Sequence, residues 1–171
     1  MKQTIVREGH FESCHRIMSH QGKCKNLHGH SYKYELEFSY DTCSIGKNGY
    51  IIDFGDVKKI FQAFIDNHFD HSVIVNPADT LVIDLAKKIN EPGRVIILPQ
   101  LNDNCNPEPS VENITQVLIH SLGFLSKKFN VPSVTALSVW ETTQSKCRIE
   151  LGNSNPRTDF IPEAYREELL G

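Results

Sequence analysis

From His28 to Ser39 the chain alternates strictly. His28, His30, Tyr32, Tyr34, Leu36 and Phe38 fall on one side, and Gly29, Ser31, Lys33, Glu35, Glu37 and Ser39 on the other. Successive strand side chains point to opposite faces, so this pattern predicts a strand over 29–40 with one apolar face. A second stretch, in which Phe11, Ser13 and His15 share a face, predicts a strand over 3–15. The period then changes. Val57, Ile60, Phe61, Phe64 and Ile65 recur at i, i+3, i+4, i+7 and i+8, the stripe of an amphipathic helix capped by Asp53 or Asp56. Ser110 opens a second long helix whose stripe is Ile114, Val117, Leu118, Leu122, Leu125 and Phe129. Between the two helices, 79–89 reads as a short helix and 94–98 as a short strand. Gly46 to Gly49 reads as a turn, and the Asn- and Pro-rich stretch 102–109 as a loop. Two further strands, 133–141 and 145–151, close the pattern.

The order ββ, α, insert, α, ββ predicts an α+β fold, with the two long helices layered on one face of an antiparallel sheet. At 171 residues this is a single domain with room for a real core, assigned here to 1–152 and followed by a polar tail, 153–171. One helical turn is expected in that tail near Glu163–Leu169. The chain is 39% hydrophobic and 23% charged, without an apolar run long enough to span a membrane or serve as a signal peptide. Five cysteines (14, 24, 43, 105 and 147) lack Cys-x-x-Cys spacing, which argues against a disulfide framework and for a reducing cytosol. A net charge of −3 gives no reason to expect nucleic acid. Residues 1–34 nonetheless hold six basic and two acidic side chains; of these Arg16, Lys23 and Lys25 flank the segment of greatest chemical interest, where an anionic substrate would benefit from them.

That segment is Cys24-Lys-Asn-Leu-His28-Gly-His30. Two imidazoles open an otherwise apolar strand face, and burying them without partners would be costly. If the first two strands pair antiparallel, His15 lies across from the pair. Three neutral imidazoles leave one position open on a tetrahedral zinc, the arrangement of a catalytic site. A lone histidine on such a face is more often an ordinary core residue; three with a nearby thiol favour a metal. Glu141, at the end of Leu137-Ser-Val-Trp-Glu141, is either a solvated strand terminus or an acceptor for two parallel N–H donors of a heterocycle. Asp70-His71, with His68 nearby, is equally ambiguous on its own.

Taken together these residues resemble the 6-pyruvoyltetrahydropterin synthase / 6-carboxytetrahydropterin synthase family. The resemblance rests on Phe11-Glu-Ser-Cys-His15-Arg16, on Gly22-Lys-Cys24-Lys-Asn-Leu-His28-Gly-His30-Ser-Tyr and on Gly49-Tyr-Ile-Ile-Asp53-Phe. Phe69-Asp70-His71, Pro109-Ser-Val-Glu112-Asn113 and Trp140-Glu141-Thr142 complete it, in the family's order across 11–142. It implies zinc on His15, His28 and His30, Cys24 as the proton-abstracting thiolate, and Asp70 with His71 as its relay. Glu141 matches the pterin anchor, and Glu112 a motif position near the substrate. The implied fold is the tunnelling fold: ββααββ subunits whose sheets join into a barrel, as trimers or hexamers with active sites between subunits. The implied substrate is a pterin triphosphate, 7,8-dihydroneopterin triphosphate. A thiol serves as a base when a metal or an oriented histidine favours its thiolate.

The three residues between Cys24 and His28 match the carboxy branch of the queuosine route, whereas pyruvoyl synthases have a longer spacer. Ser110 in place of the family's Thr, a long 99–108 loop and the extra tail depart from the pattern. Two rivals come from other classes. A cupin motif is partly met by Gly22, His28, His30 and Glu35, but Glu35 falls on the wrong strand face and two long helices do not suit an all-β barrel. A non-catalytic zinc-stabilised binding module would use Cys24 as a fourth ligand.

Overall fold

The computed structural model describes residues 1–41, 49–100, 106–151 and 155–171. Residues 46–48 of the expected turn, with Cys43 and Cys105, lie outside them. Strands β1 (Lys2–His15) and β2 (His28–Asp41) form a long antiparallel hairpin in the register His15↔His28, Ser13↔His30 and Phe11↔Tyr32. Gly9 is required at its position because the Tyr34 ring crosses it: a Cβ there would stand 2.2 Å from the ring. Next, residues 54–68 form a helical run (α1), made of an α turn Phe54–Asp56, a π segment Val57–Gln62 and an α segment Ala63–His68. Asp53, not Asp56, supplies the cap, accepting from the Gly55 amide.

The insert between the long helices is more ordered than its sequence suggests. It contains β3 (Ser72–Val75), α2 (Thr80–Ile89) and β4 (Val95–Ile97). Strand β3 runs parallel to β1 and β4 parallel to β3, so the sheet is mixed, in the order β4-β3-β1-β2-β5-β6. The expected all-antiparallel sheet is therefore corrected at this edge. All four residues of β3 are buried, so the period-two signal that betrays a half-exposed strand is absent. Helix α3 (Val111–Lys128) begins at Ser110, whose hydroxyl accepts from the Asn113 amide, and leads to β5 (Ala136–Trp140) and β6 (Lys146–Glu150).

Two layers result. The long helices α1 and α3 pack Phe61, Phe64, Ile65, Ile114, Leu118 and Leu122 onto the Tyr32-Tyr34-Leu36-Phe38 face of the sheet. On the other face α2 sets Val82, Ile83 and Ala86 against Val73 and Val75 at the parallel edge. Phe129, assigned to the buried stripe from its spacing, sits at the helix terminus and is half exposed.

The segment read as a polar tail carries four apolar anchors. Phe160, Ile161, Tyr165 and Leu169 are buried in the main core, and α4 (Arg166–Leu170) ends the chain. Tyr165 meets Phe64 edge-on at 5.2 Å, and Glu168 pairs with His68 at 2.8 Å. His120 holds the start of this tail: its Nδ1 accepts from the Arg157 amide at 3.1 Å, and its ring faces Phe160 at 4.3 Å. Burial, helped by the Arg157 cation, keeps the His120 imidazole below its ordinary value. The unfolded chain then binds more protons than the native one once pH falls below the unfolded value of about 6.5, so stability declines as pH falls from there toward the lowered native value. Thermal unfolding between about pH 7.5 and pH 5 should therefore show a falling midpoint. In His120→Gln, whose amide does not titrate, the slope should be shallower; an unchanged slope would remove His120 from the account.

Candidate active site

Hairpin register brings the three histidines together. His15 ends β1, and His28 and His30 begin β2, so all three project from the same corner of the helix-covered face. Their ring centroids are 4.7 to 5.1 Å apart, and one ligand nitrogen from each lies within 4.8 Å of the others. Among the described residues this is the cluster able to hold a metal ion, and its members are histidines alone.

The tautomers are set from behind. His15 Nδ1–H donates to the Pro109 carbonyl at 2.5 Å, and His28 Nδ1–H to that of Asn26 at 2.7 Å. Each bond leaves Nε2 with a free lone pair, the arrangement in which imidazole ligands are oriented by their outer partners. The Nε2 atoms of His15 and His30 are buried without a hydrogen-bond partner among the described residues. An unpaired buried polar atom costs about 1–3 kcal/mol, so two ring nitrogens left so at one point fit a cation better than a bare protein core. Burial also pushes His15 down to about 4 and His30 below its ordinary value, keeping both neutral as ligands must be. The residues fit a zinc-type site with an open position.

Glu141, one residue beyond β5, reaches the same corner. Its Oε1 is 3.5 Å from His15 Nε2, and the side chain is one-quarter exposed. A carboxylate so placed borders the metal position and still faces solvent from which a ligand arrives. Cys24 lies in the loop joining β1 to β2, in a single turn of 3-10 helix, Lys23–Lys25, with a free and half-buried thiol. The Ile17 amide donates to the Cys24 carbonyl at 2.8 Å and closes the loop at its base.

Asp70 and His71 stand apart from this corner. Asp70 accepts from the Glu12 amide at 2.8 Å through one oxygen and from His71 Nδ1–H at 2.7 Å through the other. Burial alone would raise the Asp70 carboxyl, but these two donors outweigh it and hold it below the ordinary value. His71 is mostly exposed and takes φ +54°, a left-handed backbone unusual for a non-glycine residue. Its amide donates to the Glu12 carbonyl at 2.6 Å, which fixes that conformation. The groove around His71 is lined by Glu12, Cys14, Gly29 and Ser31, which alternate with the three histidines along the strands, and also by Ser13 and by His30 itself. Among the described residues no hydrogen bond or ring contact joins His71 to the triad; its one side-chain partner is Asp70.

The other expected site residues divide. Glu112 is exposed in the first turn of α3, where its charge bears on the Cys147 thiol. Arg16 is not free for an anionic substrate: its guanidinium makes two bonds, at 2.5 and 2.7 Å, to the buried Asp79 carboxylate that also caps α2. Lys23 and Lys25 are exposed beside Cys24 and fit that role. Sequence reasoning missed the Pro109 and Asn26 carbonyls, Asp79, and Glu108, a buried carboxylate at the edge of the site. Carbonyl partners carry no side-chain signal, but an acid directly before the matched Pro109 was visible inside what read as plain loop.

The geometry has counterparts. The model of the 6-pyruvoyl tetrahydropterin synthase family matches residues 4–151. Over 150 residues the chain is 35% identical to the 6-carboxy-5,6,7,8-tetrahydropterin synthase of Rickettsia conorii, covering 85% of this chain and 97% of that protein. The protein of the same name from Haemophilus influenzae is 30% identical with the same coverage. Among solved structures, an uncharacterized protein from Wolinella succinogenes superposes with a TM-score of 0.64 at 21% identity, over 88% of this chain and 98% of that one. The 6-pyruvoyl tetrahydropterin synthase of Caenorhabditis elegans superposes at 0.54 and 19% identity, over 88% and 96%; at such identities the likeness shows the shared fold. With the histidine corner in place and the match running through nearly the whole described sheet, the chain belongs to the 6-pyruvoyl tetrahydropterin synthase family.

Proposed function

We propose that this chain is a zinc-dependent lyase of the cytoplasm. In this reading it converts 7,8-dihydroneopterin triphosphate and water into 6-carboxytetrahydropterin, acetaldehyde and triphosphate, on the route to queuosine. The observation that carries the reading is the three-histidine cluster with two ring nitrogens left buried and unpaired. The carboxy branch is supported by the relatives named for that product at 30 to 35% identity, and by the three-residue spacer from Cys24 to His28.

Bound through the three imidazoles, zinc would polarise the side-chain hydroxyl oxygens and acidify the adjacent C–H. The chain supplies the rest. Glu141 accepts from the parallel N–H groups of the pterin ring and fixes the side chain over the triad, turning orientation into rate. Cys24 takes the proton from carbon, and Asp70 holds His71 in the tautomer whose Nε2 exchanges protons with the thiol. Lys23 and Lys25 attract the triphosphate. Glu112 lies near the substrate in this reading. Because no contact joins His71 to the triad within one chain, the relay comes from a second copy, and the working unit is a homotrimer or hexamer.

Incubation with dihydroneopterin triphosphate, with a carbonyl reagent present, tests the reaction. Acetaldehyde equimolar with triphosphate is expected. Triphosphate without acetaldehyde would mean that all three side-chain carbons stay attached, and would move the chain to the pyruvoyl branch. Release of neither, by a zinc-loaded protein, would leave the zinc-stabilised binding module.

A further inference from the structure

We propose that Glu108 is a positioning residue that sets Cys24 against the histidine triad. The inference rests on the proposed function for its catalytic meaning, and on geometry for everything else. Glu108 is only 7% exposed, and although the Arg16 cation is near enough to feel its charge, among the described residues no lysine or arginine hydrogen-bonds its carboxylate. Its two oxygens instead accept from consecutive backbone amides, Oε1 from Ser19 at 2.9 Å and Oε2 from Met18 at 3.1 Å. Burial alone would raise this carboxyl; the Ser19 and Met18 amides, with the Asn76 and Ser19 side chains, outweigh it and keep it ionised. Desolvating a charge is expensive, so a buried carboxylate in place of a neutral acceptor implies a demand for two acceptors in fixed geometry.

What it grips explains the demand. Met18 and Ser19 follow Ile17, whose amide holds the Cys24 carbonyl. They lie in the loop that joins β1 to β2, between strands that carry the ligands and are fixed by the sheet. The next residue after Glu108, Pro109, gives its carbonyl to His15. The dipeptide is fastened in turn to α3, since the Glu108 carbonyl accepts from the Ser110 amide at 2.8 Å and from the Asn113 side chain at 2.9 Å. One rigid dipeptide thus holds a metal ligand with one residue and the thiol-bearing loop with the other. A misplacement of about 1 Å costs on the order of 100-fold in rate, which makes such coupling worth a buried charge.

The test is Glu108→Gln. The amide matches the carboxylate in size but offers one acceptor and one donor, so one backbone N–H faces another donor. With zinc content unchanged, kcat should fall about 10- to 100-fold while KM moves by no more than about threefold. Two readouts need no turnover: amide hydrogen exchange at Met18 and Ser19 should quicken, and peptide-resolved alkylation of Cys24 by iodoacetamide should change in rate. Glu108→Asp keeps the charge but draws the oxygens back by one methylene; it should fall between wild type and Glu108→Gln, and it carries the same readouts if the latter fails to fold. Altered exchange and alkylation in an enzyme inactive on the pterin would sink the proposed function and leave the positioning role standing. Unaltered Cys24 alkylation with wild-type kcat, or loss of zinc together with the fold in both variants, overturns the positioning role.

Discussion

His30→Ala should strip the protein of its metal and leave the fold in place. Native protein is expected to carry about one zinc per chain, held by three imidazoles with one position open. Loss of a partner behind a ligand already lowers metal affinity about 10- to 100-fold, so loss of a ligand itself should exceed that, and turnover should follow occupancy. The fold should survive because the hairpin is held by backbone pairing along fourteen residues of each strand, and His30 lies at its end. There is a sharper expectation. His15 and His30 each bury an unpaired Nε2, a penalty that the metal relieves and the metal-free protein bears in full. Zinc should therefore raise the melting temperature of the native protein and do little for His30→Ala, while the two metal-free proteins melt within a few degrees of each other. Elemental analysis after dialysis, with melting curves in the presence and absence of zinc, measures both. Full occupancy in the variant would remove the basis of the site.

The triad was legible because it rests on two regularities that sequence displays: alternation, which aligns His28 with His30, and hairpin pairing, which brings His15 opposite. Helix α1 was legible for a similar reason, having one buried stripe and one wet face, whereas α3 announced itself by its apolar spacing and its Ser110 cap although it is buried on every side over 117–123. What stayed hidden lacked such contrast. Strand β3 is buried on both sides and therefore shows no period, and with it went the parallel edge of the sheet. That edge decides where Asp70 and His71 go. Their turn precedes β3 and hooks onto Glu12, which fixes both residues at the β1 edge, a consequence of pairing between segments 58 residues apart. Charge was legible as composition and not as partnership. Arg16 looked available to a substrate, but Asp79 takes two of its three guanidinium nitrogens, Nε and Nη2. The tail misled in the same way: its average polarity hid Phe160, Ile161, Tyr165 and Leu169, four anchors spread over ten positions.

Cys24→Ala should leave zinc and pterin binding intact and lower turnover by about 10²- to 10⁴-fold, the usual range for removing a proton-transfer group. The change is confined to the thiol. The loop is closed by backbone bonds, Ile17 to the Cys24 carbonyl and Met18 and Ser19 to Glu108, none of which uses Sγ. A loss in kcat at nearly constant KM would identify an interaction made only in the transition state. His71→Ala should resemble it, and the double variant should be little worse than the poorer single one, because both groups move one proton and their losses do not add. The shared-site geometry adds a complementation test. If His71 serves the triad of a second copy, as proposed, then in mixed oligomers of Cys24→Ala and His71→Ala chains some sites receive an intact thiol from one copy and an intact relay from another. Co-assembled variants should regain a fraction of native activity that neither regains alone. No recovery in verified mixed oligomers would put thiol and relay in the same chain. If Cys24→Ala instead empties the metal site, the thiol is a ligand and the base must be another group.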